Sequence, residues 1–216
     1  MQLNHLEVCD FRNITLADID LSPGINLLVG ENGAGKTAIL EAVFLLARGR
    51  SFRTTHPKQL IRHNAPELIV RGEVECAQLV HRLARAKSRS GETRARIDGE
   101  AALKQSRFAE LMPLQTLLPG IADLVLDGPS IRREFVDWGL FHVEHQYLDL
   151  TRRYRKALAQ RAAWLRSASG LSFDQDPWAR DIAKNGVQIN IRRRHFVDSL
   201  NERIHNVIEA LDAQFE

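Results

Sequence analysis

Residues 30–37 read GENGAGKT, and the chain changes character on either side of them. Ile25 to Val29 is a short apolar run, as in a buried strand. After Thr37, apolar residues recur at helical spacing up to Gly49, and Ile39, Leu40, Val43, Phe44 and Ala47 fall on one predicted face. Strand, glycine loop and helix in that order constrain the fold more than any other feature of the chain. They commit it to an α/β architecture in which the helix starts at the loop. The pattern Gly-x4-Gly-Lys-Thr fits this context without a mismatch.

The residue types carry a specific chemistry. Glycines let the backbone curl so that the N–H groups of Gly30, Glu31, Asn32, Gly33, Ala34 and Gly35 converge on phosphate oxygens. The helix that opens there adds the positive end of its dipole. Lys36 supplies a charge for the β- and γ-phosphates, and the Thr37 hydroxyl is a ligand for Mg²⁺. The expected cofactors are therefore ATP and Mg²⁺. The motif names a ligand class but not a reaction, because kinases, GTPases, helicases and transport ATPases share it.

A complete catalyst needs an acidic residue at the end of an apolar strand. Asp127, at the end of Ala122–Asp127, is one such group, but Gly128-Pro129 follows and no second acid stands beside it. It reads as a turn residue ahead of a helix. The alternative is a generic P-loop NTPase or kinase with Asp127 as its metal-associated acid. Ser90-Gly91-Glu92 and Ser169-Gly170 read as turns, not as an ATPase signature loop.

Elsewhere, residues 2–11, 14–21, 68–76, 78–86 and 93–98 are predicted strands, with a turn at Asp98-Gly99. A short helix is expected at 104–111. From Pro129 the chain turns helical. Steps of three, four and seven over 145–166 and 178–214 predict two long helices joined through Ser167–Pro177. The expected division is 1–127 for the nucleotide-binding head and 128–216 for a helical lobe or arm.

The net charge of +3 hides a pattern. Residues 48–107 carry fourteen basic and six acidic side chains, and residues 151–216 carry twelve and eight. The other two blocks are acidic. Basic blocks suit a polyanion such as DNA, or a solvated surface. Arg50, Arg53, Arg192, Arg193 and Arg194 are the candidate DNA contacts. Cys9 and Cys76 have no ligand spacing and read as small buried residues, and the eight histidines have no metal-ligand spacing. No segment reads as a signal peptide or a bilayer span, so a cytoplasmic protein is expected.

Three further segments are distinctive: Phe11-Arg12-Asn13, Ser51-Phe52-Arg53-Thr54 and Arg132-Arg133-x-Phe135-x-Asp137. Together with the glycine loop, in this order, they resemble the bacterial RecF family, ABC-type ATPases related to the SMC family. The resemblance implies an ATPase head with an antiparallel β lobe, an α/β P-loop core and a second lobe of helices. It implies ATP-dependent pairing of two heads, and DNA binding at single-stranded or gapped sites. It also implies RecO and RecR as partners, loading of RecA, and support of repair, replication restart and SOS induction. It brings Arg12 and Asn13 toward the nucleotide and offers Gln115 as a metal-sensing glutamine. The family's signature loop and paired-acid strand lie further along than residue 216. These residues are therefore expected to be the N-terminal portion of a head, with negligible ATP hydrolysis of their own. Weak DNA-stimulated hydrolysis is expected of the longer protein.

Overall fold

The computed structural model describes residues 1–102, 104–117, 128–144, 146–167 and 176–215. They belong to two compact units, Met1–Leu117 and Leu118–Glu216. Asp127 and Ser169-Gly170 lie outside the described residues.

The first unit is built on strands β1 (Gln2–Phe11), β2 (Ile14–Asp20), β3 (Glu67–Cys76), β4 (Leu79–Ser88), β5 (Thr93–Ile97) and β6 (Glu100–Ala101). They form one sheet in the order β2-β1-β3-β4-β5-β6, and every pairing is antiparallel. Period-two alternation sets its faces. Leu6, Val8, Leu68, Val70, Val74 and Leu83 are buried on the inner face. The opposite face carries ion pairs, Arg71 to Glu7 at 2.6 Å and Arg82 to Glu73 at 3.0 Å, with Arg94 paired to Glu67. Part of the basic block seen in the sequence is thus neutralised within the sheet itself.

Helix α1 (Lys36–Arg48) lies on the inner face and buries Ala38, Glu41, Ala42, Leu45, Leu46 and Ala47. This face is rotated from the predicted one, and Leu40 is exposed. Size explains the rotation. Small residues let the helix approach the sheet, and Gly72 of β3 leaves room for Leu46. A Cβ at Gly72 would sit 2.7 Å from Leu46 Cδ2. A 3₁₀ turn (Pro57–Leu60) and helix α2 (Gln105–Leu111) close the core with Leu60 and Phe108.

The C-terminal end of α1 is gripped by other elements. Gly49, at φ 70°, caps it and donates its N–H to Leu45 O. Arg85 Nε donates to Leu46 O at 2.8 Å, Gln105 Nε2 to Ala47 O at 2.7 Å, and Lys87 Nζ to Gly49 O at 3.0 Å. Arg85 and Lys87 are buried on the inner face of β4. Burial pushes Arg85 down to about 10, and burial, then Arg85, lowers Lys87. Their counter-charge is the negative end of the helix dipole. The guanidinium also lies 3.8 Å from the Phe108 ring centroid.

The predicted strand over residues 25–29 does not form. Ile25 is 96% exposed, and Leu27 and Val29 are 82% exposed. A strand of this kind needs neighbours for its backbone groups and cover on both faces. Every strand among the described residues is already committed to the antiparallel sheet.

The second unit comprises α3 (Pro129–Val143), α4 (Tyr147–Ser167) and α5 (Ala179–Phe215). Pro129 stands in the first turn of α3, where its missing N–H costs nothing. Leu140, Tyr147, Leu150 and Ile189 form the core, with Val136, Tyr154 and Phe196 packed against it. Asp176 Oδ1 caps α5 by accepting from the amides of Trp178 (3.0 Å) and Ala179 (3.1 Å). The far part of α5 exposes Ile204, Val207, Ile208 and Leu211. No helix among the described residues is long and apolar enough to cross a membrane.

At Gly139 the side chain of Phe196 from α5 packs against α3: a Cβ there would lie 2.2 Å from Phe196 Cζ. Gly139→Ala is therefore expected to destabilise this unit by about 1 kcal/mol, from an overpacking cost of roughly 1–3 kcal/mol less about 1 kcal/mol for the better helix propensity of alanine. Denaturant unfolding followed by circular dichroism checks this, and an unchanged or raised midpoint would contradict it.

Candidate nucleotide-binding site

The loop Gly30–Thr37 leads directly into α1. Gly33 (φ 88°) and Gly35 (φ 100°) take left-handed backbone that other residues resist. Gly35 is the N-cap of α1, with no side-chain cap and no acidic residue in the first turn. The first amides of the helix are thus open to an anion, with no acidic side chain in the first turn to compete. Lys36 Nζ lies over the loop and donates to Gly30 O at 2.6 Å and Glu31 O at 2.8 Å, which leaves one of its three N–H bonds for a further acceptor. Thr37 is exposed in the first turn, and its hydroxyl makes no hydrogen bond among the described residues. The donor set fits a triphosphate, and the free hydroxyl fits a hard cation.

Arg12 and Asn13 form the turn between β1 and β2 and reach the loop from the side. Asn13 Nδ2 donates to Gly33 O at 2.7 Å. Arg12 has φ 55°, a strained conformation for a non-glycine residue. Its guanidinium donates to both Glu41 carboxylate oxygens, Nη2 at 2.8 Å and Nε at 3.0 Å, and through Nη1 to Gln59 O at 2.9 Å. Arg12 thus faces α1, while Asn13 holds the loop.

Glu41 was invisible to the sequence reading as a site residue. Its signal is a carboxylate one turn beyond Thr37, in a stripe otherwise made of Ala38, Ala42 and Leu45. It is fully buried. Ser51 is the second missed residue: its hydroxyl also donates to Glu41 Oε1. Ser51 Oγ then accepts from the amides of Arg53 (2.8 Å) and Thr54 (3.1 Å), and Phe52 packs edge-on against Phe44 at 5.3 Å. The Ser51–Thr54 segment is therefore fastened to α1, and the Arg53 side chain is left exposed.

The other candidates of the first unit lie apart from the loop. Gln115 is exposed on a segment whose Leu114 O accepts from Arg48, near the opposite end of α1 from Thr37, and its side chain makes no hydrogen bond among the described residues. Arg50 is exposed at the end of α1. In the second unit Arg193 is engaged by Asp137, with Nε to Oδ1 at 2.7 Å and Nη2 to Oδ2 at 2.8 Å, and Tyr147 Oη donates to Asp137 Oδ1 at 2.5 Å. Arg192 pairs with Glu144 at 2.9 Å. Arg194 alone of the three is exposed without an ion pair among the described residues. Asp137, the last residue of the RRxFxD segment, thus joins α3, α4 and α5. No group of three or more metal-binding side chains occurs among the described residues.

The helix-opening glycine loop beside an antiparallel lobe, with a helical unit following in sequence, defines a P-loop nucleotide-binding head of the ABC and SMC type. A family model described as the RecF/RecN/SMC N terminal domain matches residues 2–121. The chain belongs to that family. It is 36% identical over 220 residues to the DNA replication and repair protein RecF of Aliivibrio fischeri, covering 100% of this chain and 60% of that one. It is 38% identical over 208 residues to RecF of Shewanella baltica, covering 96% and 58%. The chain therefore spans about 60% of the length of these curated relatives. A solved structure of the recombination mediator protein RecF with ATP superposes with a TM-score of 0.78 at 25% identity, covering 92% of this chain and 54% of that one. An SMC ATPase structure from work on ATP-driven dimerisation and DNA-stimulated activation superposes with a TM-score of 0.52 at 20% identity, covering 63% and 98%, and shows the fold alone.

The Tyr147–Asp137–Arg193 contact has a measurable consequence. Burial, then the Asp137 carboxylate, raises the Tyr147 phenol well above its ordinary value of 10.0. The folded-state value exceeds the unfolded one, so this contribution to stability is complete below pH 10 and is lost as pH rises toward the folded-state value. The chain has two tyrosines. Phenolate absorbance is expected to include a late alkaline step that Tyr147→Phe removes; a titration unaltered by that substitution would refute the assignment.

Proposed function

We propose that this chain is the ATP-binding part of a RecF-like machine that acts on DNA in replication and repair. The observation that carries the reading is the loop itself: Gly30–Thr37 opens α1 with uncapped amides and a lysine over the loop. The match to RecF chains solved with ATP and with an ATP analogue supports it. In this reading the amides of Gly30–Gly35 and Lys36 bind the phosphates. Thr37 holds Mg²⁺, which when bound neutralises phosphate charge. Asn13 keeps the loop in place through Gly33 O.

Binding of ATP brings two copies together, and the paired heads hold DNA at single-stranded or gapped sites. Arg50, Arg53 and Arg194 are exposed and are the proposed phosphate contacts, and Arg192 and Arg193, engaged by Glu144 and Asp137, would join them only by leaving those carboxylates. The cellular task is recombination mediation in the cytoplasm with RecO and RecR, ending in RecA loading and SOS induction. Gln115 would act as the metal-sensing glutamine only after a movement of residues 113–117. A DNA contact made chiefly with phosphates weakens steeply with salt.

Two outcomes test the reading on the full-length protein. Lys36→Ala is expected to abolish ATP-induced dimerisation in light scattering, because the triphosphate loses its side-chain charge. A dimer that persists would show that Lys36 lacks this role. DNA binding measured by fluorescence anisotropy is expected to require ATP and to fall when Arg53 is replaced by alanine. Equal affinity with and without ATP would exclude an ATP-gated DNA clamp.

A further inference from the structure

Glu41 is a carboxylate with no access to solvent, yet no step of nucleotide binding uses it. Three donors converge on it: Arg12 Nε at 3.0 Å, Arg12 Nη2 at 2.8 Å and the Ser51 hydroxyl. A buried ion pair is poor evidence for stability, since desolvation offsets the attraction and apolar residues of similar volume often do better. Its effect here is one of placement. Arg12 is held at φ 55°. Strained backbone of this kind persists where the surroundings over-determine it. Those surroundings are Glu41 on one side, and Gln59 O (2.9 Å) and Leu60 O (2.7 Å) on the other. The next residue is Asn13, whose amide holds Gly33 O at 2.7 Å, and whose side chain would lie 3.5 Å from a Cβ at Gly35. The same carboxylate reaches Ser51, which in turn holds the amides of Arg53 and Thr54.

We propose that Glu41 is a positioning residue that sets the nucleotide loop through the Arg12–Asn13 turn and, through Ser51, locks the Arg53-bearing segment to the same helix. The inference rests on the reading of Gly30–Thr37 as an ATP site. The arrangement depends on a charge. A carboxylate accepts at both oxygens, so one group satisfies a bidentate guanidinium and a hydroxyl together. A glutamine of the same shape has one accepting oxygen, and its NH₂ would oppose a donor of Arg12 or Ser51. Glu41 lies one turn beyond Thr37 on α1, so the helix that starts at the loop is also the anchor for both segments. A shift of the loop is then transmitted to Arg53 without any contact between Arg53 and nucleotide.

The test uses full-length protein, Mg²⁺ and a fluorescent N-methylanthraniloyl ATP, with Lys36→Ala as the control. Glu41→Gln is expected to weaken binding about tenfold, and Asn13→Ala to do the same. Because both act through one turn, the double variant is expected to be no weaker than the weaker single one. Ser51→Ala removes one hydroxyl without disturbing the ion pair. It is expected to speed tryptic cleavage after Arg53 several-fold while circular dichroism stays unchanged, and it serves if Glu41→Gln does not fold. Unchanged affinity in Glu41→Gln, fully additive losses in the double variant, or unaltered cleavage after Arg53 in Ser51→Ala would each overturn the proposal while leaving a Lys36-dependent ATP site standing. Wild-type binding that ignores Lys36→Ala would remove the underlying reading, and the inference with it.

Discussion

The hold of β4 and α2 on the C-terminal carbonyls of α1 is the contact on which the rest of the first unit depends. Arg85, Lys87 and Gln105 donate to Leu46, Gly49 and Ala47 oxygens. Two buried cations without a carboxylate partner would be costly in an apolar core. Placed against unsatisfied helix carbonyls, they meet the negative end of the helix dipole instead. With that end fixed, and with Leu46 seated over Gly72, α1 has one register on the sheet. The register brings Glu41 to Arg12 and Gly33 to Asn13. The glycine loop is therefore positioned from the far end of the helix it opens, by residues that bond the carbonyls of Leu46, Ala47 and Gly49.

This explains the uneven legibility of the site. Gly30–Thr37 could be read because phosphate binding uses backbone amides and local glycine conformations, both short-range properties of sequence. Asn13 could be read only through the resemblance carried by Phe11-Arg12-Asn13. Glu41 and Ser51 could not be read, since their importance arises from donors 29 and 10 residues away from the glutamate. The rotated face of α1 has a similar cause. Apolar spacing favoured the larger side chains, whereas close helix–sheet contact selected Ala38 and Ala42.

The basic blocks show how charge counts mislead when partners are distant in sequence. In the first, Arg71, Arg82 and Arg94 face Glu7, Glu73 and Glu67 across the sheet. In the second, Arg192 and Arg193 face Glu144 and Asp137 between helices. The RRxFxD segment thereby acquires a structural role, because Asp137 joins α3 to α4 and α5 through Tyr147 and Arg193. What remains for a polyanion is a smaller set of exposed side chains, Arg53 and Arg194 among them.

Sequence alone determined the antiparallel strands, the glycine loop, the helix it opens and the long helices after Pro129. Each is encoded by periodicity and turn chemistry within a few residues. It also carried, through motif order, the family to which the chain belongs. Tertiary structure decided which face of α1 is buried, which arginines are paired and which group anchors the Arg12–Asn13 turn. It also decided that residues 25–29, strand-like in sequence, remain unpaired with Ile25, Leu27 and Val29 exposed. The reason is the same in each case. A helix or a turn satisfies its own backbone locally, whereas burial of a strand face or of a charge requires partners from elsewhere in the fold.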